Sequence, residues 1–184
     1  RIGDFFVGVA PSSSFSLDKS EYTKQNLPFL DQQLAAPTFL DIALGYQLHR
    51  PAFFIAASFR NPTFTSTGFG VEQTIKKRSF SVEVNKFLTD YTGFAPFIGF
   101  NLSYDRLTYL EEGGEVPLDL TFTSLEPGLC LGWDIIPGKT EEALILRTNL
   151  RWFPNASFSV DGFKFKFSQL EYNLIQVVFY PGRL

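Results

Sequence analysis

The chain has 184 residues, 45% of them hydrophobic, with 22 Phe, 7 Tyr and a formal net charge of −3. That length suits a single domain over residues 1–184, and the negative balance gives a nucleic-acid partner no electrostatic support. One cysteine, Cys130, excludes an internal disulfide framework, and no run of about 18 apolar residues exists to form a transmembrane helix. No Met occurs and strand-like residues begin at Asp4, so a mature chain freed of a signal peptide is expected.

Alternation is the dominant signal in chain order. Residues 4–10 put Phe5, Val7 and Val9 on one face, as a strand does. Residues 11–37 read as a long loop. In 40–48 the even positions are large and apolar, the odd ones small or polar. A His49-Arg50-Pro51 corner leads to 53–60, with Phe53, Ile55, Ala57 and Phe59 on one face. Residues 61–78 read as a second long loop, and 79–85 set Phe80, Val82 and Val84 against Ser81, Glu83 and Asn85. After a turn at 90–93, residues 97–105 present Ile98, Phe100, Leu102 and Tyr104. Residues 106–124 read as a third loop with Gly113-Gly114 at its tip. Residues 125–134 present Leu125, Leu129, Leu131 and Trp133 opposite Glu126 and Asp134. After Pro137-Gly138-Lys139, residues 144–152 present Leu144, Leu146, Leu150 and Trp152 opposite Arg147, Asn149 and Arg151. Past a last loop at 154–168, residues 170–180 begin in phase and slip near Ile175-Gln176, which predicts a bulge or a partly apolar interior there.

Eight strands joined by alternating long and short connections predict an antiparallel up-and-down β-barrel. Soluble and membrane barrels both alternate, with opposite sense. Here the non-apolar faces are thin: Gly8, Gly45, Gly99, Gly128 and Gly132 all lie on them. Such residues fit a narrow interior better than a solvated exterior. Aromatics gather at the strand ends: Tyr46, Phe94 and Trp133 at the short-turn end, and Phe59, Tyr104, Trp152 and Tyr172 at the other. That is a double girdle at two lipid–water interfaces. The apolar faces, among them Ile42, Leu44, Phe100, Leu102, Leu129, Leu131, Leu146 and Leu150, are therefore expected on lipid.

The segment Phe97-Ile98-Gly99-Phe100-Asn101-Leu102-Ser103-Tyr104 and the final strand resemble the small eight-stranded outer-membrane barrels of the OmpA/OmpX type, and the likeness covers nearly the whole chain. The resemblance implies a place in a Gram-negative outer membrane, in contact with its lipid and lipopolysaccharide and with other outer-membrane proteins. The chain departs from that pattern by adding Pro181-Gly182-Arg183-Leu184 after Phe179-Tyr180, where the family commonly ends on an aromatic residue.

Chemistry-bearing groups are sparse. Enzymes among such barrels need a catalytic His near the outer face, and the single His49 falls in a short turn at the other end. One His and one distant Cys give no zinc spacing, and Glu111-Glu112 with Glu115 lack an EF-hand pattern, so neither metal nor cofactor is expected. Lys76-Lys77-Arg78 offers contacts to lipopolysaccharide phosphates. The best-defined polar feature is the set of predicted interior charges: Asp41, Arg60, Glu83, Asp105, Glu126, Arg147, Arg151 and Glu171. In a narrow barrel these must pair, which predicts a polar plug rather than a pore. Glu126, Arg151 and Glu171 are expected at similar depth, with Arg151 touching at least one of the two carboxylates. These features favour a non-enzymatic structural or accessory subunit of an outer-membrane assembly, secretion or surface complex. A lipid-modifying enzyme and a soluble carrier of an apolar ligand are the alternatives.

Overall fold

A computed structural model describes residues 3–16, 35–48, 52–68, 70–91, 93–113, 118–136, 143–160 and 163–183. Its strands are β1 (Gly3–Ser16), β2 (Ala35–Leu48), β3 (Phe53–Arg60), β4 (Thr63–Gly68), β5 (Val71–Phe87), β6 (Phe94–Glu112), β7 (Leu118–Ile135), β8 (Leu144–Phe153), β9 (Ser157–Val160), β10 (Phe163–Lys166) and β11 (Gln169–Phe179). The neighbours run β1-β11-β8-β7-β6-β5-β3-β2, all antiparallel, and β1 pairs with β2 to close the ring. β3 and β4 are two halves of one wall, interrupted at Asn61-Pro62, so the barrel has eight staves. β9 and β10 form a separate hairpin between β8 and β11. Because β1 pairs with both β11 and β2, the ring has no end strand, as a lipid environment requires.

The side chains face as the alternation predicts. Ile42, Leu44, Phe100, Leu102, Leu129, Leu131 and Leu146 are exposed on the outer wall, and Leu150 points the same way, half-buried. Phe100 alone is 71% exposed. A soluble carrier would hide this face; here it forms a continuous belt. On β6 the belt runs from Phe94 to Tyr104, and about eleven tilted residues span roughly the 25 Å of an outer-membrane apolar band. The predicted bulge is present: the β11–β8 register shifts between Asn173 and Gln176, and Leu174 and Ile175 both face outward.

Three loop boundaries need correction. Residues 11–16 and 35–37 belong to β1 and β2; most of 61–78 forms β4 and the first half of β5; most of 106–124 extends β6 and β7. The cause is a reversal of phase. Outward positions on β6 change from Ile98, Phe100, Leu102 and Tyr104 to Arg106 and Thr108, while inward ones change from Asn101, Ser103 and Asp105 to Leu107 and Tyr109. β5 switches likewise between Phe80 and Arg78, and β7 between Leu125 and Thr123. Below the switch the wall faces lipid; above it the same strands face water and enclose an apolar core. Of the expected Gly113-Gly114 tip, Gly113 has φ 89° and Gly114 lies outside the described residues; Gly70, at φ 79°, turns the β4–β5 hairpin. Both are left-handed conformations that favour glycine. The His49-Arg50-Pro51 corner, Glu115 and Pro137-Gly138-Lys139 lie outside the described residues.

Candidate functional site: the barrel interior

The interior is built in three layers. In the middle one, Arg151 on β8 lies directly opposite Glu171 on β11 and Cys130 on β7. Its guanidinium crosses the lumen. Nε and Nη2 donate to the two oxygens of Glu83 at 3.1 and 3.0 Å, and Nη1 donates to Asp41 at 2.6 Å and to Glu171 at 3.5 Å. Arg60 donates to Glu171 and to the hydroxyls of Ser81 and Ser103 at 3.1 and 3.2 Å. Asn173 donates to Asp41, Asn101 to Glu83, and the Cys130 thiol to Glu83 at 3.3 Å. Asp105 accepts from Ser79 and Ser103, and its other oxygen lies 3.4 Å from Lys77 Nζ.

The layer nearer the short turns is aromatic around one ion pair. Arg147 donates twice to Asp134, at 2.6 and 3.0 Å. Its guanidinium lies 4.0 Å from the Phe54 ring centre and 4.9 Å from that of Phe6, so cation–π attraction adds to the pair. Tyr91 donates to Asp134 and Tyr180 to Gln47, which closes the end of the lumen with phenols. Burial, and the nearby Asp134 carboxylate, push the Tyr91 phenol above its ordinary range, so it stays a donor. The chain then turns through Pro181–Arg183, where Arg183 stacks on Tyr180 and donates to Asp4 at 2.9 Å. Pro181–Arg183 thus fold back under the barrel.

The layer nearer the loops is apolar: Phe39, Phe64, Ile75, Leu107, Tyr109 and Phe167 pack together, with Phe64 and Phe167 edge-to-face at 4.8 Å. The interior glycines explain how such large groups fit. A Cβ on Gly45 would strike Phe6, one on Gly132 would strike Phe97, and one on Gly128 would lie within 2.9 Å of Phe153. A narrow barrel alternates small and large residues for this reason.

All eight predicted interior residues are buried inside the wall. The expected contact of Arg151 with Glu171 is present, but Glu126 is not its partner. Strand stagger puts Glu126 opposite Ser103, four residues along β7 from Cys130. Glu126 accepts from Ser124 at 3.0 Å instead. Asp41 and Glu83, on the far wall, are the main partners, because a long side chain in a narrow barrel reaches across the lumen. Lys77 leaves the predicted surface cluster: it is buried, donates to Gln169 at 2.6 Å and lies over Phe153, while Lys76 and Arg78 face outward. Sequence reasoning missed the inward aromatics Phe6, Phe54, Phe97 and Phe153. Among the described residues no group of His, Cys, Asp and Glu is arranged to hold a metal ion.

Solved structures share this architecture. Neisserial surface protein A aligns over 95% of this chain and 96% of its own, with a TM-score of 0.63 at 13% identity. The fold is that of a small outer-membrane β-barrel. OprG from Pseudomonas aeruginosa aligns over 98% and 93%, with a TM-score of 0.54 at 14% identity. Ail, the attachment invasion locus protein of Yersinia pestis, aligns over 98% and 99%, with a TM-score of 0.51 at 10% identity. No protein-family model and no curated protein matches the chain.

Proposed function

We propose that this chain is a non-enzymatic integral protein of a Gram-negative outer membrane. Its lumen is plugged, and it serves as a structural or accessory subunit of an assembly, secretion or surface complex. The observation that carries this reading is the filled interior: charges knit across the middle, aromatic rings and apolar side chains above and below. A barrel so packed is a rigid mount rather than a conduit. The extension of β4 to β7 beyond the apolar belt supports a surface role, because it raises a wall of sheet into the water on the side where the long connections leave. Loops on such a mount can recognise partners without disturbing the fold. Two barrels of this fold are by name a surface protein and an attachment locus protein, which favours the surface member of the three settings.

Two measurements test the reading. Reconstituted in planar bilayers, the chain should give no regular conductance steps. Solubilised from native membranes in mild detergent, it should migrate with larger partners. Uniform channel openings would overturn the plug, and migration as a lone monomer would overturn the accessory role.

A further inference from the structure

Where the outer wall passes from lipid to water, β5 and β6 place two arginines side by side. Arg78 and Arg106 are direct cross-strand partners, both outward and exposed. Like charges so opposed repel each other. Among the described residues no carboxylate forms an ion pair with either, or with Lys76, one outward position above. The outward acids of this wall, Asp119, Glu72 and Glu112, stand further up, nearer the hairpin tips. Sheet stability does not account for this arrangement; an anion between the guanidinium groups would.

The surface directly below indicates what carries that anion. One outward position down, Phe80 faces Tyr104 and meets the Phe59 ring at 4.9 Å. A groove of about 630 Å³ runs over the outer wall from Leu40, Ile42, Phe59 and Tyr104 up to Arg78 and Arg106. It is apolar at its membrane end and cationic at its rim. A soluble polyanion would use the cations and leave the greasy end empty. A phosphorylated lipid uses both, with a chain in the groove and its phosphate at the height of the arginines. The cations sit on the loop side of the belt, and the outer leaflet there is the one that carries glycolipid.

We infer that Arg78, Arg106 and Lys76 bind a phosphate of an outer-leaflet glycolipid, the lipid A part of lipopolysaccharide, whose acyl chain lies along the groove beneath them. This rests on the outer-membrane reading. The site is not the sequence run Lys76-Lys77-Arg78, since Lys77 points inward; the strand pairing brings in Arg106 instead.

Native mass spectrometry of the full chain, refolded in detergent, tests the inference. Each variant's folding is checked first by the shifted band of an unheated gel. The wild type should bind bisphosphorylated lipid A about tenfold more tightly than dephosphorylated lipid A. R78Q/R106Q should lose that preference, and K86Q, an outward cation at the other end of β5, should keep it. Millimolar inorganic phosphate should not compete. Equal binding of both lipids by the wild type, an undiminished preference in folded R78Q/R106Q, or full competition by inorganic phosphate would each overturn the site. If R78Q/R106Q does not fold, R106Q and K76Q singly, each expected to weaken the preference several-fold, carry the same test. A wild-type chain that gives no detergent-dependent folded band would instead count against the outer-membrane reading itself.

Discussion

Replacing Arg151 with Met removes the cation that holds the middle layer together. Arg151 is 1% exposed and contacts Asp41, Glu83 and Glu171. Arg60 still reaches Glu171, but it forms no ion pair with Asp41 or Glu83, whose ion-pair partner among the described residues is Arg151. Breaking a buried pair by deleting one partner costs about 3–5 kcal/mol, because the surviving charge stays buried. Two carboxylates lose their cation here, so R151M is expected near the top of that range. Adding E83Q removes one stranded charge, and the R151M/E83Q double should recover roughly 1–3 kcal/mol. E126Q alters a side chain that hydrogen-bonds Ser124 and Asp105 and forms no direct ion pair among the described residues, so it should cost about 1 kcal/mol or less. The assay is reversible urea unfolding in lipid vesicles, followed by fluorescence of Trp133 and Trp152. An R151M cost below about 1 kcal/mol, or no recovery in the double variant, would refute the reasoning, since both require Arg151 to neutralise Glu83.

Other substitutions probe the remaining features. Phe100→Arg places a charge in the middle of the lipid-facing belt and should cost about 2–4 kcal/mol in vesicles, whereas Thr108→Arg, above the belt, should cost little in the same titration. Gly132→Ala drives a Cβ into the Thr148 backbone carbonyl as well as the Phe97 ring and should destabilise by about 1–3 kcal/mol, with little relief from F97L because the backbone contact remains. Trimming the hairpin tip at Gly113 should leave the gel-shifted folded band intact, because the tip lies beyond both the belt and the interior layers.

The stave pattern was legible wherever one face meets lipid. Leu40 to Leu48 and Ile98 to Tyr104 alternate cleanly, and that phase also located the eight interior charges. Legibility failed where the environment changes sign. Above Tyr104 the outer face becomes polar and the inner face apolar, so strand residues such as Leu107 and Tyr109 resemble loop. Paired aromatics, Phe5-Phe6 and Phe53-Phe54, hide which ring points inward, because period-two alternation needs a contrast between neighbours. Gly45 and Gly132 were the available signal, since a missing side chain implies a large one opposite. Lys77 was misplaced because a basic run looks like a solvated surface, although every second member of a strand faces the other way. The partners of Arg151 depended on barrel stagger, which alternation does not encode.

The central claim is that the apolar face looks out onto lipid. Nitroxide labels at Leu102 and Leu131, introduced singly with Cys130 replaced by Ser, test it directly by electron paramagnetic resonance in vesicles. Both labels should collide readily with dissolved oxygen and poorly with a water-soluble nickel chelate. Ready collision with the chelate, or shielding from both reagents as in a packed core, would contradict the account.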